Sequence, residues 1–325
     1  MTTRGQPNPL NADETTRPSA AAAASGVVGP LPVDETALSR TWTDRLLPSI
    51  KQRGQRPSVG ERVWDFHDFR SWRATAWEIA ADFLDERVRE EFRRSPPEYV
   101  VSDDLSWLDS IIDRATGRIL DSKRLMAVRL AKRYDFLRCC HATNARDLGL
   151  YYGRGIQPLV PERAREAARA IFLDGSYPEL TADDVEEAIK ATGHGLRAGR
   201  VFFEVNERSL VADGGHYLLY GSEYLTGIAA HLRGAVRRDY RQALKGRGTP
   251  TVFLCDVPIT ALRMDMLEAA GTVLEFLFEE LLEGDDCVPD PHRGFGFSIP
   301  QALPPDRIVG HYHPTGVRDP LTGGR

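Results

Sequence analysis

A change of hydrophobic period at Asp135 constrains this chain more than any other feature of its sequence. Before that residue, apolar and aromatic side chains recur at intervals of three and four. Phe69, Trp72, Ala76, Ile79, Ala80 and Phe83 form one stripe, which predicts a helix from Trp64 to Phe92 that buries one face and ends at Pro96 and Pro97. A second helix carries Leu105, Leu108, Ile111 and Ile112, starts from Asp103 or Asp104 and weakens at Gly117. A third spans about Ser122 to Tyr134. After Asp135, Phe136-Leu137-Arg138-Cys139-Cys140 is a short apolar run, followed by His141, Thr143 and the turn-prone Asn144, and it predicts a buried strand.

From there strands and helices interleave. A turn of helix at Asp147 to Tyr152 stops at Gly153-Arg154-Gly155, and two longer helices are predicted over Pro161 to Phe172 and Thr181 to Thr192, the second opening on Thr181-Ala182-Asp183-Asp184. Arg200 to Val205 is β-branched and aromatic. So, after the loop Asp213-Gly214-Gly215, is His216 to Tyr220, and both read as strands. A helix over Leu225 to Leu244, a strand over Thr251 to Pro258 and an apolar helix over Met264 to Leu282 follow, and the close, Phe295 to Ile299 and Ile308 to Tyr312, is irregular. The expected class is α+β.

Four segments result. Residues 1–36, rich in Pro, Thr, Ala and Gly, read as a disordered arm. Residues 37–134 are a helical segment, beginning with a short amphipathic helix through Leu38, Trp42, Leu46 and Leu47. Residues 135–313 are the mixed domain, and 314–325 a polar tail. With 325 residues, 42% hydrophobic and 27% charged, the chain can bury a core of about two domains.

No apolar run approaches the ~18 residues a membrane-spanning helix needs, and the start lacks a basic stretch before an apolar one, so a cytoplasmic protein without a membrane partner is expected. Cys139, Cys140, Cys255 and Cys287 make no C-x-x-C pair, which suits a reducing compartment; Cys139 and Cys140 should be buried thiols on opposite strand faces. A formal charge of −5 argues against general attraction to nucleic acid. A local basic stretch, Arg233, Arg237, Arg238, Arg241, Lys245 and Arg247, would meet phosphates of a nucleic acid or nucleotide, or else form a solvated helix face. Cys287, His292, His311 and His313 invite zinc, but their spacing fits no standard metal pattern, so no metal site is expected.

Three blocks, in order, resemble the ADP-ribosyltransferase fold, in which NAD lies in a cleft of a split β-sheet. The first is Cys140-His141-Ala142-Thr143 with Leu148 and Gly155-Ile156-Gln157-Pro158-Leu159, similar to that family's first strand, its His-x-Thr end and a later G-I-x-P-L turn. The second is Val201-Phe202-Phe203 followed by Gly215-His216-Tyr217-Leu218-Leu219-Tyr220-Gly221-Ser222-Glu223, and the third is Ile299 to Ile308 with Pro304-Pro305-Asp306-Arg307-Ile308. The resemblance covers about residues 136 to 312. It implies a split β-sheet flanked by helices, NAD as substrate, and transfer of ADP-ribose to a macromolecular acceptor.

On that resemblance His141 contacts the NAD ribose, Thr143 joins it among the NAD-binding residues, Tyr217 or Tyr220 stacks on the cationic nicotinamide, and Ser222 supports the neighbouring acid. The family's catalytic glutamate stands at the last block, but Phe295 to Pro300 holds no acid. Gln301 is the nearest polar residue there, and Glu223 is the acid inside a resembling motif, so these two are the catalytic candidates; a carboxylate stabilises the oxocarbenium-like state of glycosidic cleavage. Each residue also has a structural reading: His141 as a hydrogen-bonded core histidine, the tyrosines as packing, Glu223 as a complement to a helix dipole. The rival class is a non-catalytic module that binds a nucleotide, a protein or a nucleic acid.

Overall fold

The computed structural model describes residues 60–66, 68–193, 195–236, 238–284 and 293–321, without the side chains of Leu196 and 233–236. The expected arm and the short helix at Leu38 to Leu47 lie outside the described residues, as do Cys287, His292 and Arg237.

The fold is α+β, built on a six-stranded, mostly antiparallel sheet. Its centre is β2 (Phe136–Ala145), the strand expected at the change of period. β1 (Val63–Asp65) runs parallel to the start of β2, with Trp64 opposite Leu137. β4 (Thr249–Pro258) pairs with β2 along its whole length, from Phe136 opposite Pro258 to Ala145 opposite Thr249. β3 (Val201–Glu204) meets β2 at a single position, Cys140 opposite Glu204. β5 (Gly296–Ile299) extends the sheet beyond β3, and β6 (Ile308–Tyr312) extends it beyond β4. The close expected to be irregular therefore supplies two strands; each finds its ladder in a strand more than fifty residues away, which short-range pattern cannot reveal.

The helical segment shares its core with the sheet. Trp64, Trp72, Phe83, Phe92, Leu108 and Ile111 pack in one cluster with Leu137, Cys139, Phe253 and Phe278. Residues 134 and 135 thus mark a change of texture and no break in packing. The single helix expected over Trp64 to Phe92 is β1 followed by α1 (Phe69–Ala80) and α2 (Glu86–Arg94). Asp85 interrupts it, its side chain accepting the Val88 N–H at 3.2 Å, while Phe83 and Leu84 bury themselves in the break. α3 (Ser106–Thr116) ends on left-handed Gly117, and α4 (Ser122–Arg133) is capped by Asp121.

α5 (Leu148–Arg154), α6 (Pro161–Phe172) and α7 (Ala182–Thr192) follow β2, and the Thr181–Asp184 capping box forms as the sequence predicts. After β3 come α8 (Glu207–Ala212), α9 (Gly215–Tyr220) and α10 (Glu223–Val236). The expected strand at His216 to Tyr220 is therefore helix. A run this short suits either period, and its surroundings decide: the Asn144 side-chain amide donates to the carbonyls of Leu218 at 2.9 Å and Leu219 at 3.1 Å, satisfying acceptors at the helix end. The helix expected to reach Leu244 stops at Val236 and resumes as a 3-10 turn, Tyr240–Ala243, capped by Asp239. α11 (Ile259–Leu262) leads into α12 (Asp265–Glu283), which packs on the helical segment.

Cys139 and Cys140 are fully buried in different clusters, one on each face of β2, as alternation requires. Within the polar tail Asp319 is 1% exposed and bonded to Tyr220 and Lys245. Among the described residues no helix is long and apolar enough to cross a membrane.

Candidate functional site

The single contact between β2 and β3 opens the sheet. Beyond Cys140 the ladder stops, and the His141 side chain crosses the gap in its place, Nδ1 lying 2.9 Å from the Phe202 carbonyl. A carbonyl only accepts, so Nδ1 carries the proton and Nε2 is left as an acceptor. Burial holds the imidazole below its ordinary pKa, against the Phe202 carbonyl that favours the charged form. His141 is therefore neutral at physiological pH.

Two adjoining cavities occupy this opening, of about 490 and 460 Å³, each of a size that suits a small-molecule ligand. His141, Thr143, Gln157, Gly221 and Ser222 border both. Gly221 creates the junction: its φ of +81° ends α9 and turns the chain into α10 beside Asn144, which brings Ser222 next to the end of β2. The first lobe carries Glu204, Glu223 and Asp265 with Arg197 and Arg200. Arginine dominates the second, through Arg146, Arg154, Arg163 and Arg247.

Glu223 is tightly held. Its carboxylate accepts the Tyr217 phenol at 3.0 Å and Arg197 Nε at 2.5 Å, and lies 3.6 Å from His216 Nε2. The His216 bond most of all, with Arg197 and Tyr217, keeps the group at about 2 despite its burial, so it is ionised at neutral pH. Burial and this carboxylate push the Tyr217 phenol up to about 12.

The two tyrosines separate. Tyr217 lines the first lobe, whereas Tyr220 borders the second, is 2% exposed, and gives its hydroxyl to Asp319 at 2.5 Å with Lys245 over its ring. A ring so engaged has no free face for stacking in the first lobe. Gln301 is exposed in the turn after β5 and borders neither cavity. Asp306 and Arg307 lie in a 3-10 turn, Pro305–Arg307, where Arg307 pairs with Glu61 and covers the Phe136 ring instead of facing the cleft.

No family model, curated protein or solved structure matches this chain.

Sequence reasoning missed Glu204, Asp265, Arg197 and Arg200. Glu204 ends an apolar strand, where a lone acid is the available signal; Asp265 opens α12 and resembles an ordinary first-turn acid. Burial raises Asp265, against the Ser298 backbone N–H that it accepts, and Arg200 bonds Ser298 Oγ at 2.8 Å. The basic stretch is largely neutralised. Arg238 pairs with Glu179, Arg241 with Asp239, Lys245 with Asp319 and Arg247 with Asp174, while the side chains of Arg233 and Arg237 lie outside the described residues. By contrast Arg146, Arg154 and Arg163 have no ion-pair partner among the described residues. His311 and His313 sit side by side, engaged by Tyr152 and Thr251, and among the described residues no group of His, Cys, Asp and Glu is arranged to hold a metal.

Proposed function

We propose that the two-lobed cleft binds NAD as a substrate and that the protein transfers ADP-ribose to a macromolecular acceptor. The observation that carries this reading is the junction. His141, Thr143 and Ser222 stand where a carboxylate-bearing lobe meets an arginine-bearing one, and a dinucleotide has the matching halves, a cationic nicotinamide riboside and an anionic diphosphate. The donor set fits that group: three arginines without ion-pair partners among the described residues offer charge-assisted bonds to phosphate, and neutral His141 offers an acceptor for a ribose hydroxyl. Bound there, NAD supplies a glycosidic bond to a leaving group that departs neutral.

The residues divide the remaining work. Tyr217 presents an aromatic wall to the first lobe, where a cationic ring gains apolar burial and cation–π attraction. Glu223, fixed and ionised, supplies negative charge near the riboside as positive charge develops on it, at little reorganisation cost because Tyr217 and Arg197 already hold it beside His216. Gln301, outside the cleft, has no part in this scheme.

A second reading has its own support: Glu223 is so well supplied with donors that its field is partly spent, as in a nucleotide-binding module without turnover. One experiment separates them. The purified protein is mixed with NAD, and nicotinamide release is followed beside the melting temperature. Release that Glu223→Ala abolishes supports the transferase; a raised melting temperature without release supports the binding module; neither response removes NAD from the account.

A further inference from the structure

The carboxylates of the first lobe differ in what surrounds them. Tyr217 and Arg197 donate to Glu223, with His216 Nε2 3.6 Å away, whereas Glu204 Oε1 accepts the Asn206 backbone N–H at 3.1 Å and has no ion-pair partner among the described residues. Opposite Glu204 in the ladder stands Gly296, where a Cβ would lie 3.3 Å from Oε2; a Cβ on Gly294 would lie 2.9 Å from Oε1. At this point β5 offers no side chain, and the carboxylate from β3 fills the space beside its backbone. Both Glu204 and Gly296 border the lobe.

We propose that Glu204 is the proton acceptor for an incoming nucleophile in this lobe and that the nucleophile is a neutral hydroxyl, on an acceptor molecule or on water. The proposal rests on the NAD reading above. In the step it describes, the hydroxyl oxygen bonds to the ribose carbon from which nicotinamide departs with the bonding electron pair. Glu204 takes the hydroxyl proton and later returns it to solvent, so atoms and charge balance.

The chemistry selects the nucleophile. A carboxylate, phosphate or thiolate acceptor arrives without a proton to lose, whereas a hydroxyl needs a base at the moment of attack. A base serves best when its pKa lies near the working pH, and burial lifts Glu204 to about 7, opposed by the backbone N–H groups of Asn206 and Val205 and assisted by Glu268 of α12. Tyr217 of α9 and Cys139 of β2 feel its charge in turn, and Cys140 of β2 stands opposite it in the ladder. Glu223, at about 2, is too weak a base for this task, so two carboxylates in one cleft take different roles through their surroundings.

The test begins without NAD. In protein carrying 13C-labelled glutamate, with the Glu204 signal assigned by its loss in Glu204→Gln, the carboxyl carbon should titrate near pH 7; a midpoint near 4.5, the ordinary value, overturns the proposal. Glu204→Gln should lower nicotinamide release at least ~100-fold, leave the NAD-induced rise in melting temperature unchanged, and remove the increase of rate with pH. Sodium azide, a nucleophile with no proton to give up, should restore release in Glu204→Ala and leave an azide adduct of ADP-ribose visible by mass spectrometry. Wild-type turnover in Glu204→Gln, or loss of its NAD-induced melting shift, overturns the base assignment while the NAD reading stands. A wild-type protein that neither binds nor cleaves NAD overturns both. If the substituted proteins do not fold, the wild-type titration alone decides, with the midpoints already stated and the signal assigned from backbone-correlated spectra.

Discussion

Ile156 and Leu303 exchange a reciprocal pair of backbone hydrogen bonds, each 2.9 Å long. They fasten the turn after α5 to the proline-rich segment before β6, so two of the blocks singled out in the sequence are joined directly. Gly155 makes the approach possible. Its φ of +77° and ψ of −172° are open essentially to glycine alone, and a Cβ there would collide with the Leu303 carbonyl oxygen. Gly155→Ala should therefore destabilise the protein by roughly 2–4 kcal/mol, from backbone strain and overpacking together. Chemical denaturation checks this, and an unchanged midpoint would mean that the two segments do not lock.

Arg138 and Asp256 face each other across β2 and β4 in a two-pronged ion pair, at 2.9 and 3.1 Å, with Asp65 3.7 Å away. Both side chains are largely withdrawn from solvent. Asp256→Ala leaves a buried guanidinium short of its main partner and should cost about 3–5 kcal/mol, whereas replacing both residues by leucine should recover most of that loss. Equal stability of the single and double variants would show that the pair carries no coupling.

The helical segment and the interleaved order of the rest were legible because amphipathic stripes and caps are local signals. Pro161–Phe172, Thr181 with its capping box, and the β2 and β4 runs all declare themselves within about a dozen residues. The narrow pairing of β3 with β2 was not. It rests on Cys140 standing opposite Glu204, a relation between residues 64 apart. For the same reason His141, Thr143, Tyr217, Ser222 and Glu223, which border the first lobe, could be named from their motifs while Glu204, which borders it too, could not: its place is set by Gly296 of β5 and Gly294 just before that strand, far along the chain. The helix at His216 to Tyr220 was misread because a run of five residues fits both periods, and Asn144, far back in the chain, decides between them.

His311 makes a prediction about pH. The Tyr152 phenol, pushed up to about 12 by burial, keeps its proton and is hydrogen-bonded to His311 Nδ1 at 2.6 Å. Burial and the neighbouring His313 hold His311 down to about 4 from an ordinary 6.5. The folded pKa is thus the lower one, and as pH falls the unfolded chain takes up its proton first. Stability from this site is complete above about 6.5 and is lost between there and about 4, by roughly 3 kcal/mol. Denaturation midpoints of wild type and His311→Asn should converge as pH is lowered through that window. Parallel curves would mean that His311 titrates normally.

The arginine lobe supplies the last prediction, and it separates charge from shape. Arg146, Arg154 and Arg163 border the second cavity without ion-pair partners among the described residues, so removing one takes away a cation that no neighbouring acid has already neutralised. If they receive the diphosphate of NAD, each change to Ala should weaken NAD binding by about 1–1.5 kcal/mol, roughly tenfold, and the deficit should shrink at high salt as screening erodes the wild-type advantage. Binding of nicotinamide riboside, which lacks phosphate, should stay the same in all three. Arg238→Ala is the internal control: its guanidinium is paired with Glu179 and borders neither cavity, so NAD affinity should not move. Calorimetry with both ligands measures these differences. Should the riboside and NAD lose affinity equally, the arginines shape the cavity rather than hold phosphate; should neither lose any, the diphosphate lies elsewhere.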